Sequence, residues 1–269
     1  MKNLKNEISI ILPTLNEEQN LKIIIPKIVN MFVKEMKINY EILVIDDGSD
    51  DNTNTYLSKI SKTNSSIKYF SRRNPRSLPL SILDGIKLSR YENVMWLDAD
   101  GSMNELAMKK LLIPYFNYLD SANEKVIIGS RFIEGGGYKG VKDVKTQSLL
   151  SSIQNVRNSN DSVFGMLLSI IINKFLSYLF KTNLTDLTSG FIVLRKEHID
   201  NTVFENKEYG EYFIYLIDSL IKKGLQIEEV GYICETRLHG NSKTGSGIIK
   251  LIIRGIPYIK AARLKRSNK

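Results

Sequence analysis

The chain has 269 residues, 42% of them hydrophobic and 25% charged, a composition that excludes disorder and suits one large α/β domain or two small ones. One cysteine, Cys234, excludes an intramolecular disulfide framework and fits a reducing compartment, and with only two histidines beside it the sequence argues against a zinc site. A net charge of +9 calls for an acidic partner, and with no nucleic-acid module recognisable in the sequence, anionic lipid and phosphate-bearing substrates remain.

Met1 to Glu7 is polar, and Ile8 to Leu12 is too short for the core of a signal peptide, so export is not supported. Ile8 to Leu12 instead reads as a strand buried on both faces of a parallel sheet. Pro13 to Glu18 stops it, Asn16 is the expected helix cap, and apolar residues from Leu21 to Phe32 follow helical spacing with Pro26 expected to kink or restart the helix. A second strand, Glu41 to Ile45, runs into Asp46-Asp47-Gly48-Ser49-Asp50-Asp51, with Ser49 or Asp50 expected to cap the next helix. A strand from Ile67 to Phe70, a basic segment Arg72 to Arg76 and a helix from about Leu78 to Arg90 follow. Strands alternating with helices over the first hundred residues predict an α/β fold of the doubly wound kind, while the missing Gly-x-Gly-x-x-Gly after the first strand gives no support for a dinucleotide site.

Val94 to Gly101 reads as a buried strand ending in Asp98 and Asp100, one residue apart. On a strand such a pair points the same way, so either a divalent cation takes up both charges or the residues serve a turn and cap the helix that begins near Asn104. Oxygen ligands of this kind suit magnesium or manganese shared with substrate phosphates. A helix from Asn104 to Leu119 and a strand from Lys125 to Gly129 extend the sheet, with Ser130-Arg131-Phe132 at its exit. Residues 138–162 read as a long mobile connection, and Val163 to Phe180 as a helix lying on the protein, because Asn173-Lys174 near its middle would cost about 3 kcal/mol in lipid for the lysine alone. Strands at Phe191 to Leu194 and Gln226 to Cys234 flank a helix from about Glu211 to Lys223. Ile248 to Ala262 is a basic amphipathic helix suited to a membrane interface.

Six short motifs in order carry a resemblance: Ile11 to Glu17, Val44 to Ser49, Leu97 to Gly101, Ile128 to Phe132, Asp186 to Phe191 and Arg237 to Lys243. Together they resemble the inverting family 2 glycosyltransferases of GT-A fold, in the branch of dolichol-phosphate mannose synthases and polyprenyl-phosphate sugar transferases. The resemblance implies a mostly parallel central sheet flanked by helices, with residues 1–243 as catalytic domain and 244–269 as the amphipathic helix and tail. It implies a GDP- or UDP-sugar donor bordered by Pro13, Thr14 and Glu17, with Asp46 accepting from the base beside Asp47, and Asp98 and Asp100 holding Mg2+ or Mn2+ on the diphosphate. A polyprenyl or dolichyl phosphate acceptor is already ionised and requires no general base, so Arg131, Arg237 and Lys243 are the expected cations for neutralising and orienting that phosphate and the diphosphate. Mannose or glucose is the expected sugar, and the cytoplasmic membrane face the expected place, with a membrane-anchoring partner subunit in reserve.

Arg131 is otherwise an ion-pair partner, Arg237 and Lys243 solvated loop charges, Glu17 a helix-start residue, and Asp46 and Asp47 turn formers. The chain departs from its branch at Gly240-Asn241-Ser242-Lys243, where a glutamate is usual at the second position, and at Met166, where an arginine often stands; Arg157 is its expected substitute. Two other functions compete. A family 2 enzyme acting on a polysaccharide or other hydroxyl would need a carboxylate base in the cleft. A nucleotide-sugar-binding scaffold without turnover would be expected to have lost its metal ligands, whereas Asp98 and Asp100 are intact.

Overall fold

The computed structural model describes residues 7–73, 75–119, 125–138, 141–142, 163–205, 207 and 209–240. Strand and helix alternate through the first half as β1 (Glu7–Thr14), α1 (Glu18–Asn30), β2 (Asn39–Asp46), α2 (Thr53–Thr63), β3 (Ile67–Ser71), α3 (Leu78–Leu88), β4 (Asn93–Trp96) and α4 (Glu105–Tyr118). The second half adds β5 (Lys125–Ser130), the short β6 (Gly137–Tyr138) and β7 (Val141–Lys142), α5 (Val163–Phe180), β8 (Ile192–Arg195), α6 (Tyr212–Lys222), β9 (Gln226–Gly231) and β10 (Ile233–Cys234).

Seven strands form one sheet in the order β3-β2-β1-β4-β8-β5-β9. β1 is parallel to β2 and β4, β2 to β3, and β5 to β9, while β8 alone runs antiparallel to β4 and β5. The unbroken apolar run of β1 has a simple cause, because its two faces feed two different cores. Ile8, Ile10 and Leu12 pack with α1, α2 and α4 on one side. Ile11 joins α3, α5 and α6 on the other. Helix α3 sits hard against the sheet at Gly85, where an added Cβ would stand 2.4 Å from Ile11 Cγ2. A second sheet of three short strands, β10-β6-β7, stands beside the first.

Several expected boundaries move. Asn16 does not cap α1: it takes a left-handed conformation (φ 54°), and Glu17 precedes the helix instead. Helix α1 runs through Pro26 unbroken, with the proline on its exposed face. The irregularity comes later, as a π-helical turn over Met31–Met36. Neither Ser49 nor Asp50 caps α2, whose first amide, from Thr53, is taken by Asp51 Oδ1 at 3.0 Å. β4 stops at Trp96, so Asp98 and Asp100 belong to the turn after the strand. Gln226 to Cys234 is not one strand: the chain switches sheets at Tyr232.

Among the described residues no helix is long and apolar enough to cross a membrane. Helix α5 buries Asn173, Leu176 and Phe180 and exposes Ile171, Phe175 and Tyr178. Most of the 138–162 connection, including Arg157, together with Lys243 and the expected amphipathic helix at Ile248 to Ala262, lies outside the described residues.

Candidate active site

β1, β2 and β4 are parallel and end on the same edge of the sheet, where the loops that follow them come together. The first two loops are latched to each other. Asn16 N–H donates to Ser49 Oγ at 2.8 Å, and its side-chain oxygen accepts from the Asp50 amide at 2.7 Å. Asp46, at the end of β2, is wholly buried. Its carboxylate takes the Ser49 hydroxyl and amide and, at 2.9 Å, the Asn54 side-chain amide. Asp46 therefore organises the loop from behind, and Asp47 faces the space in front of it.

That space is a cavity of about 260 Å³. Pro13, Thr14 and Glu17 wall it from the exit of β1, Asp47 from β2, Arg76 and Ser77 from the loop before α3, and Asp98 and Asp100 from the turn after β4. Tyr209 and Arg237 close it from the C-terminal half. Asp47 is held by the buried Arg72 guanidinium and by the Ser77 amide at 2.6 Å, and Arg72 also reaches Asp84 at 2.8 Å. Arg76 stays more open, on Gly48 O at 2.8 Å and Asp50 at 2.6 Å.

The turn that carries the two aspartates is held by its own chain and by the C-terminal loop. Asp100 Oδ1 accepts from Ser102 N at 2.9 Å, and Oδ2 from Arg237 Nη2 at 2.9 Å. Leu238 N donates to Asp100 O at 3.2 Å, and Glu235 N to Ser102 O at 2.9 Å. Gly101 has φ +85°, a conformation that glycine supplies without steric cost, and Leu238 lies over it. The cap reading of the aspartates fails, since the Asn104 side chain itself accepts from Ala107 N and starts α4.

Partial removal of the Asp98 carboxyl from water by the packed residues beneath it, and next the charge of Asp100, push its pKa up to about 7, the first effect being tempered because the residue is exposed to the cleft. Arg237 pulls in the other direction, Glu17 adds to the rise, and Arg131 opposes it more weakly. Among the described residues no three His, Cys, Asp or Glu side chains converge to cage a metal. Two carboxylates on one turn, of which Asp100 alone is paired with Arg237, are oxygen ligands of the kind that suit a magnesium- or manganese-type ion.

Arg131, at the exit of β5, does not line the cavity. It meets Asp186 two-pronged, Nε to Oδ2 at 2.7 Å and Nη2 to Oδ1 at 2.8 Å, and it also reaches Thr188 Oγ1 at 3.0 Å. Burial works against its charge, but Asp186 outweighs burial and holds the guanidinium well above its usual pKa. Of the residues expected from sequence, Pro13, Thr14, Glu17, Asp47, Asp98, Asp100 and Arg237 come together around one cavity. Asp46 stands behind it, Arg131 in an adjoining ion pair, and Lys243 outside the described residues. Sequence reasoning assigned no site role to Arg72, Arg76, Ser77 or Tyr209. A basic pair at the carboxyl end of a third parallel strand was the signal for Arg72; Tyr209 had none.

The model of glycosyl transferase family 2 matches residues 9–202. The chain is 29% identical over 154 residues to a poly(ribitol-phosphate) beta-N-acetylglucosaminyltransferase of Staphylococcus aureus, covering 57% of this chain and 45% of that protein. It is 28% identical over 238 residues to a dolichol-phosphate mannosyltransferase of Pyrococcus furiosus, covering 88% of this chain and 59% of that protein. With a polyprenol monophosphomannose synthase of Mycolicibacterium smegmatis it shares 27% identity over 267 residues, 96% of this chain and 89% of that one. The chain thus spans about half the length of the first two relatives and most of the third. Glucosyl-3-phosphoglycerate synthase from Mycobacterium tuberculosis, crystallised with Mn2+, UDP and glucosyl-3-phosphoglycerate, superposes with a TM-score of 0.62 at 18% identity over 97% of this chain and 80% of that one. The fold is GT-A, as the motifs implied.

Proposed function

The chain belongs to glycosyl transferase family 2, and on that premise we propose that it moves a sugar, mannose or glucose, from a GDP- or UDP-sugar to a polyprenyl or dolichyl phosphate. The observation that carries the choice of acceptor is how the acids around the cavity are already engaged. Glu17 faces Asn20 and Arg237, Asp47 is taken by Arg72 and the Ser77 amide, and Asp100 by Ser102 N–H and Arg237. Asp98 is left, and it sits beside Asp100 where a cation is needed. With Asp98 given to that cation, no carboxylate among the described lining residues remains to remove a proton from a hydroxyl, and a phosphate acceptor needs none removed.

Asp98 and Asp100 would hold the metal with the donor diphosphate. A divalent ion bound there supplies stabilisation of the negative charge that grows on the leaving nucleoside diphosphate. Asp47, Ser77 and the walls at Pro13 and Thr14 would border base and ribose, and Glu17 and Asp100 fix the direction of Arg237. Arg237, Arg131 and Lys243 would orient the acceptor phosphate for in-line attack on the anomeric carbon from the face opposite the diphosphate, which inverts its configuration. An acceptor with a polyprenyl tail would be met at a membrane surface, and we propose its cytoplasmic face, with the 244–269 segment or an anchoring subunit as the tether.

A hydroxyl acceptor is the second reading, favoured by the name of the poly(ribitol-phosphate) relative. The discriminating experiment incubates the purified chain with labelled GDP- and UDP-sugars and divalent metal, offering polyprenyl phosphate in one arm and soluble polyols or polysaccharide in the other. Label entering the organic phase supports the proposal. Label passing only to the soluble acceptor overturns it.

A further inference from the structure

Helix α5 carries a buried amide, Asn173, only 1% exposed, on a surface otherwise packed through Leu176 and Phe180. Its side chain is fully engaged. Oδ1 accepts from Leu187 N at 2.7 Å, and Nδ2 donates to Ser169 O and to Thr188 Oγ1, both at 2.9 Å. Two of those three partners lie in the turn before β8 that carries Asp186.

Thr188 Oγ1 is the junction. It receives Asn173 Nδ2 and, at 3.0 Å, Arg131 Nη2, and neither donor can act as an acceptor. A hydroxyl has two lone pairs and one proton, so with both lone pairs taken its proton points to Asp186 Oδ1, 3.3 Å away. Asp186 in turn holds Arg131 by both carboxylate oxygens and by the Arg131 amide at 3.0 Å. The far end of the turn is held independently. Glu229 on β9 accepts from the Thr185 amide, the Thr185 hydroxyl and the Asp186 amide at 2.8–3.0 Å. The turn is therefore fixed from a strand on one side and from a helix on the other, and the guanidinium at the exit of β5 lies where those constraints put it.

From this arrangement we infer that Asn173 is a positioning residue for Arg131: the amide on α5 sets the 186–188 turn, whose carboxylate and hydroxyl aim the guanidinium. Asp186 offsets the charge of Arg131, so on the proposed acceptor role the arginine would act chiefly through its direction, to which Asn173 contributes through Leu187 N and Thr188 Oγ1. The consequence for turnover rests on the acceptor role proposed above for Arg131; the positioning itself does not.

Two readouts separate these. The first is solvent exchange of the Arg131 Nε–H in 15N-labelled protein, which needs no substrate. Asn173→Ala is expected to speed that exchange by about tenfold, and Thr188→Val, which keeps the shape of the side chain and leaves the Leu187 bond intact, to shift it in the same direction. Ser177→Ala is the control. Ser177 Oγ donates to Leu184 O and to the backbone carbonyl of Asn173 but touches neither the Asn173 side-chain amide nor the 186–188 turn, so its loss should leave the exchange unchanged while lowering stability. The second readout is kinetic: in Asn173→Ala and Thr188→Val the KM for polyprenyl phosphate should rise about fivefold, the loss of one hydrogen bond, with nucleotide affinity unaltered. Wild-type exchange rates in both variants, or an equal shift in Ser177→Ala, would overturn the inference, and Thr188→Val decides it if Asn173→Ala does not fold. Absence of lipid transfer by the wild-type protein would instead remove the proposed acceptor, leaving the exchange experiment to judge the positioning.

Discussion

Replacing Asp100 by Asn changes one atom of a buried side chain and tests the centre of the site. The amide oxygen can keep the 2.9 Å bond from Ser102 N, but the charged partner of Arg237 Nη2, also at 2.9 Å, is lost. A hydrogen bond to a charged group contributes about 1.5–3 kcal/mol. Part of that returns, because the like charge that helps push Asp98 up to about 7 disappears as well. The metal-free fold should therefore lose only about 1 kcal/mol, a fall in Tm of roughly 2–4 °C for a chain of this size. Metal binding should suffer far more. Changes at groups that merely support a metal ligand cost 10- to 100-fold in affinity, so removing one of two ligand carboxylates should cost about 100-fold or more. Calorimetric titration of GDP and UDP with and without Mn2+ measures the difference. Metal-dependent nucleotide affinity equal to that of the wild type would refute the assignment of the Asp98–Asp100 turn.

The raised pKa of Asp98 gives a sign for pH dependence. The ion competes with a proton at about 7, so Mn2+ affinity should fall up to about tenfold per unit below neutrality and level off above it, and a flat titration series between pH 6 and 8 would contradict the pairing. The metal-free folded chain also binds that proton more tightly than the unfolded chain, so this contribution to stability is present below about pH 4 and is lost as pH rises through 7; denaturation curves across that range read it. Gly101→Ala should cost about 1–2 kcal/mol in chemical denaturation, mainly from the φ of +85°, since the Leu238 side chain that the new Cβ meets at 2.7 Å is exposed enough to yield. Removing residues 244–269 should weaken binding to anionic vesicles and leave nucleotide binding near normal, and equal vesicle binding by the shortened chain would refute the tether.

The strands were legible because burial on both faces leaves a continuous apolar signature, and β1 shows the cause, with neighbouring residues serving opposite cores. The same physics hides the end of β4 in the sequence. Leu97 and Ala99 remain buried after the hydrogen-bonded strand has stopped, so apolar patterning runs on into the turn and hides the boundary that decides how Asp98 and Asp100 are presented. Asn16 was misassigned for a related reason: one side chain can cap a helix, or can accept a left-handed backbone and latch a neighbouring loop, and only the position of Ser49 and Asp50 in space selects the second. Pro13, Thr14, Glu17, Asp47, Asp98 and Asp100 meet around one cavity because they lie at or just after the ends of parallel strands, where topology alone gathers them, while Asp46 turns to the loop behind.

Arg131 lacked that advantage. Its partner Asp186 is 55 residues away in sequence, and no local periodicity reports such a pairing. The difference has a mechanistic meaning. Asp98 and Asp100 are brought to the cavity by the backbone of one turn, so their placement needs no partner distant in sequence. A guanidinium that meets a carboxylate two-pronged has to be aimed, since its planar fork fits in one orientation. It therefore draws its support from elements far apart in the chain, Glu229 on β9 and Asn173 on α5, which fix the turn that grips it. The half of the site that strand topology builds was readable from residue order, and the half that depends on orientation had to await the packing.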